Sequence, residues 1–77
     1  MSPALPIVSG KTLLKSLLKN GYLLTHRKGS HCFVESADGT LGTVIPVHSN
    51  EDLGKGILKS ILNDLNLSVS DLIALLK

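Results

Sequence analysis

Leu13, Leu14, Leu17 and Leu18 fall on one side of a helical wheel, while Lys11, Lys15 and Lys19 recur every four residues as a separate stripe. This spacing predicts an amphipathic helix of roughly three turns. Ser9 stands as its N-cap and Gly21 as its stop. The period then shortens. Tyr22 to Arg27 reads as a strand, Lys28-Gly29 as a tight connection, and Ser30 to Ser36 as a second strand with Phe33 and Val34 as β-formers. Asp38-Gly39 signals a hairpin turn, and Thr40 to His48, rich in Thr, Val and Ile, is the third strand. Gly42 is the expected site of a bulge. Pro46 has no N–H for a ladder bond, so the third strand is expected at the sheet edge. Ser49 to Gly56 is a polar loop. Ile57, Leu58, Ile61, Leu62 and Leu65 restore a helical face, which stops at Asn66. Ser68 and Asp71 have capping-box spacing before a short last helix with Val69, Leu72, Ile73 and Leu76 on its apolar face.

The order α-β-β-β-α, with a final short α, predicts a two-layer α+β fold. A three-stranded antiparallel sheet is covered on one face by helices, and the other face stays open. Alternation puts His31, Phe33 and Glu35 on one face of the second strand and Cys32 and Val34 on the other. With Cys32 and Val34 toward the helices, His31 and Phe33 lie on the open face. A hairpin turning at Asp38-Gly39 sets His48 opposite residues 28–31, at the same end as His31.

At 77 residues the chain is expected to be a single domain over 1–77, with a flexible tail over 1–7. Its 43% hydrophobic content, with 16 Leu and 5 Ile, excludes a disordered chain. A core this small is marginal, and Cys32 is alone, so a disulfide cannot reinforce it. A partner, as a homo-oligomer or hetero-oligomer, is a natural source of further stability. The lone Cys, the lack of an apolar run of ~18–20 residues and the lack of a signal peptide point to a cytoplasmic protein without a membrane segment. Residues 1–34 carry Lys11, Lys15, Lys19, Arg27 and Lys28 and no acid, whereas residues 35–77 carry all the Asp and Glu. A basic half suits a polyanion or an acidic protein partner.

Reactive side chains are few. There is no P-loop, no dinucleotide fingerprint and no ligand cluster for a metal, so neither cofactor nor metal is expected. Gly54-Lys55-Gly56 punctuates a helix start. The informative run is Arg27-Lys28-Gly29-Ser30-His31. Gly29 lets a phosphate approach the backbone, Arg27 and Lys28 can hold it, and Ser30 can donate to it. Imidazole ordinarily titrates near neutrality, so His31 can move a proton at working pH. RNA brings its own nucleophile, the 2′-hydroxyl. Cleavage without metal then needs a proton acceptor, a proton donor and positive charge. His48 is a candidate assistant, Phe33 a stacking platform or interface anchor, and Lys11 and Lys15 a source of RNA attraction. A basic turn followed by a structural histidine is the competing reading. So are a non-catalytic RNA-binding module and an interaction protein that binds an acidic partner.

The run also resembles the signature of a known family, the HicA (YcfA-like) toxins of toxin–antitoxin pairs. Val8-Ser9-Gly10-Lys11 is similar to the family's opening, Leu17 through Gly21-Tyr22 to the end of its first helix, and Lys28-Gly29-Ser30-His31 to its signature. Val44-Ile45-Pro46-Val47-His48 is similar to its third strand, Gly56 with Leu58-Lys59-Ser60-Ile61-Leu62 to its second helix, and Leu67-Ser68-Val69 to its last turn. The order and spacing of these pieces over residues 8–76 make the match specific. The resemblance implies a double-stranded-RNA-binding-domain-like fold and a metal-independent mRNA endoribonuclease whose essential histidine is His31. It also implies a HicB-type antitoxin partner, which is expected to bind over the open face and block His31. Where the family often has a second histidine, this chain has Cys32.

Overall fold

The structure, a computed structural model, describes residues 4–49 and 51–77. Its elements are α1 (Gly10–Lys19), β1 (Leu23–Lys28), β2 (His31–Glu35), β3 (Gly42–Pro46), α2 (Lys55–Asp64) and α3 (Val69–Leu75). The three strands form one antiparallel sheet in the order β1-β2-β3, so the fold is α+β with the expected α-β-β-β-α-α order. Leu13 and Leu17 of α1, Val34, Ile45, Leu58, Ile61 and Leu62 of α2, Leu65, and Leu72 of α3 close one buried core. The helices therefore cover one sheet face, that of Cys32 and Val34, while His31 and Glu35 are exposed on the other. No helix is long and apolar enough to cross a membrane among the described residues. Residues 1–3 of the expected tail lie outside the described residues, and Leu5 already packs against the core.

The caps explain where the helices start. The Ser9 side chain accepts from the Thr12 amide at 3.1 Å. Ser68 and Asp71 form a full capping box: the Asp71 amide donates to Ser68 Oγ and the Ser68 amide donates to Asp71 Oδ2. Asn66 takes the left-handed conformation at φ 54° beyond the end of α2. The hairpin between β2 and β3 is organised by one carboxylate. Asp38 accepts from the Ser36 hydroxyl at 2.7 Å and from the Thr40 amide and hydroxyl at 3.0 and 2.8 Å. The Ser36 amide donates to the Leu41 carbonyl across the turn at 2.8 Å.

The sheet departs from expectation at Gly42. β3 pairs with β2 in regular register from His31↔Pro46 to Glu35↔Gly42, without a bulge. The irregularity lies in β1, where Leu24 pairs with Val34 and His26 with Phe33, leaving Thr25 extra. Thr25 Oγ1 donates to the Phe33 carbonyl at 3.2 Å and holds the bulge. A Cβ at Gly42 would make only an ordinary contact, 3.4 Å from the Val34 carbonyl oxygen, so nothing in the structure explains a glycine there. The second and third strands also end one or two residues earlier than the patterning suggests, although the Val47 amide still donates to the Ser30 carbonyl.

Gly10 carries a stricter constraint. A Cβ on this buried residue would collide with the Pro46 carbonyl, so the start of α1 lies directly on the end of β3. Gly10→Ala should push α1 off the sheet at a cost on the order of 1–3 kcal/mol. A chain of this size then loses roughly 4–8 °C of Tm per kcal/mol, which a thermal melt reads directly. Gly56 in α2 has open space around it, and Gly56→Ala should raise the Tm, by about 0.4–1 kcal/mol of stability. The Ser36 hydroxyl, then the Thr40 amide and hydroxyl, hold the Asp38 carboxyl at about 2, below its ordinary 3.8. A carboxyl depressed by folding stabilises the native state above its unfolded value, and that contribution disappears as pH falls from 3.8 through about 2. Carboxyl NMR titration should find an Asp38 midpoint near 2, and Asp38→Asn should remove this part of the acid dependence.

Candidate functional site

The connection between β1 and β2 is two residues long. Gly29 sits at φ 58°, in the left-handed region where a side chain is disfavoured, and no atom would meet a Cβ there. Its neighbourhood is open to a ligand. Immediately after the turn, His31 begins β2 on the open face, exposed, with Lys28 as its cross-strand partner on one side and Pro46 on the other. Partners in antiparallel strands share a face, so the Lys28 ammonium and the His31 imidazole project together from the uncovered side of the sheet.

Arg27 and Lys28 do not share that face. Arg27 pairs with buried Cys32, and its side chain lies on the helix side of the sheet. There it lines a hollow of about 490 Å³ together with Lys11, Lys15 and Leu14 of α1 and Val47. Its Nε nevertheless donates back to the Gly29 carbonyl at 3.4 Å, a long contact. The two cations thus bracket the turn from opposite sides. Lys11 and Lys15, expected only as a general source of attraction, stand with Arg27 in one basic hollow.

His48 lies just beyond β3, exposed, and its Nε2 is 3.3 Å from the half-buried Ser30 Oγ. The Ser30 carbonyl accepts from the Val47 amide at 2.6 Å, which fixes the turn against the end of β3. Ser30 and His48 are therefore joined at the same end of the hairpin as His31. Phe33 is half-buried on the open face, one row away from His31. Its ring lies 5.3 Å, centroid to centroid, from that of His26, with the planes at 50°. His26 is the residue of this face that the sequence patterning does not single out. Its signal was available: it stands two positions before Lys28 and so shares the face of Lys28 and His31. Among the described residues, no three His, Cys, Asp or Glu side chains gather into a metal-binding group.

A family model described as the HicA toxin of bacterial toxin–antitoxin matches residues 10–67, from the start of α1 to just beyond α2. The chain belongs to the HicA toxin family. The match spans the basic turn, His31, Phe33 and His48 together with α1 and α2. No curated relative matches the chain. Membership makes the chain a toxin of a toxin–antitoxin system and implies an antitoxin as its partner. For a HicA chain that exposes this end of its sheet, the Ser30–His48 contact is the local brace. Ser30→Ala should release the His48 ring, seen as greater side-chain mobility in NMR relaxation, with a change in stability within about 1 kcal/mol because the contact is exposed.

Proposed function

We propose that this HicA-family toxin is an mRNA endoribonuclease that works without metal and uses His31 as its general acid/base. The observation that carries the reading is the exposed His31 imidazole paired across the strands with Lys28, on the uncovered sheet face, at the open Gly29 turn. A phosphate at this turn would meet Lys28 from one side and Arg27 from the other, with the Ser30 hydroxyl beside it. His31 would take the proton of the 2′-hydroxyl as that oxygen attacks the neighbouring phosphorus. The bond from phosphorus to the 5′-oxygen breaks, and the leaving oxygen takes up a proton, from His48 or from water. The products are a 2′,3′-cyclic phosphate and a 5′-hydroxyl end. Lys11, Lys15 and Arg27 add salt-dependent attraction to the RNA backbone.

The antitoxin, of HicB type, is read as covering the open face and excluding RNA from His31. The basic first half of the chain suits steering by an acidic surface. Direct occlusion makes antitoxin and RNA compete for one surface.

His31→Ala should lower the cleavage rate by about 10²–10⁴-fold, while circular dichroism and the melting curve stay close to wild type because the side chain is exposed. Cleavage at the wild-type rate in this variant would sink the assignment. Activity should persist in EDTA and leave cyclic phosphate ends. Activity lost in EDTA and restored by magnesium would overturn the metal-free chemistry.

A further inference from the structure

Cross-strand rows order the open face. One row holds Lys28, His31 and Pro46, the next holds His26, Phe33 and Val44, and a third ends on Glu35 between Leu23 and Gly42. The proposed chemistry uses the first row and leaves the second without work. Yet the second row carries the chain's only phenylalanine, set against a histidine ring at 5.3 Å. Core packing does not require it there, since Phe33 belongs neither to the buried cluster nor to the side chains packed against it. A hollow of about 550 Å³ opens beside Phe33 and Val44 and runs from Thr25 and Glu35 to Ile57 and Asp64 of α2.

Residues two apart on a strand stand roughly 6.5 Å apart along it. That is the scale of one nucleotide, from its phosphate to its base. The face also has an electrical order along β2: the Lys28 cation at one end, rings in the middle and the Glu35 carboxylate at the other. A phosphate is drawn to the Lys28 end and repelled from the Glu35 end, which leaves the rings for the part of a nucleotide that is uncharged and flat. We infer that His26 and Phe33 form a subsite for an unpaired nucleobase of single-stranded RNA, one row away from the phosphate at Lys28 and His31. The placement of that phosphate rests on the ribonuclease reading; the ring pair does not. The tilt of 50° lets a base stack on one ring while it meets the edge of the other. Stacking needs a free base face, so duplex RNA cannot use this subsite.

The test uses the His31→Ala chain, which on the ribonuclease reading does not cut RNA, and two probes: a single-stranded RNA octamer and an abasic octamer with the same backbone. His26→Ala and Phe33→Leu should each weaken binding of the base-bearing octamer about tenfold or more and leave the abasic one unchanged. His26→Phe and Phe33→Tyr, which keep a ring, should hold the affinity. Equal loss on both probes, no loss on either, or no binding of the base-bearing octamer overturns the subsite. So does a loss confined to antitoxin affinity, which would make the ring pair a protein-docking anchor. Cleavage by the chain with His31 intact is read separately. Base-dependent loss without any cleavage keeps the subsite and rejects the ribonuclease, whereas cleavage with undiminished binding in the variants does the reverse.

Discussion

The whole arrangement depends on the burial of two side chains in the middle strand. Cys32 and Val34 are 0% and 1% exposed beneath the helices. Because direction alternates along a strand, their burial forces His31, Phe33 and Glu35 to the opposite side. A slip of one residue would bury the Glu35 carboxylate unpaired, at several kcal/mol, and expose Val34 to water. β2 is central, so its register passes to both neighbours. It places Lys28 and His26 beside it on β1, and Pro46 and Val44 on β3. The position of the His31 imidazole is thus settled by an apolar requirement on the far side of the sheet.

That requirement is why so much could be read from the chain. Leu13, Leu17, Leu58, Ile61 and Leu62 follow the helical period because one core takes them all, and the Ser9 and Ser68 caps announce themselves by residue type and spacing. His48 and His31 could be brought to one end because a tight hairpin leaves few registers. What escaped the reading depends on tertiary contact or on geometry that adjacency conceals. Thr25 is an ordinary strand residue, and its bulge appears only when its hydroxyl meets the Phe33 carbonyl. Gly10 looks like a neutral first helical residue until the Pro46 carbonyl is placed against it. Arg27 and Lys28 read as one clamp because they are neighbours in sequence, but on a strand neighbours point apart. His26 was overlooked for the same reason, its relation to Lys28 being one of alternation.

The end of the sheet that carries His31 is braced by more than its ladder. The start of α1 rests on Pro46, the Leu53 amide donates to the Val8 carbonyl at 2.8 Å, and Ser9 bridges to Asp52. Residues 8–10 and 52–53 are therefore tied together at the last residue of β3, two positions before His48. A site built on a strand and supported in this way is held more rigidly than one on a free loop. Beside this braced end, the space around Gly29 stays open, with no atom within reach of a Cβ placed there.

The bulge at Thr25 and the proline at 46 have a consequence for how many copies of the chain behave together. Both outer strands, β1 and β3, present unpaired backbone groups, and a small sheet with two bare edges is a template for strand-by-strand self-assembly. The bulge breaks the spacing of donors and acceptors midway along β1, and Pro46 removes a donor from the last position of β3. Neither edge offers an incoming strand an unbroken ladder. The chain can thus leave one sheet face uncovered while its edges resist growth into fibrils.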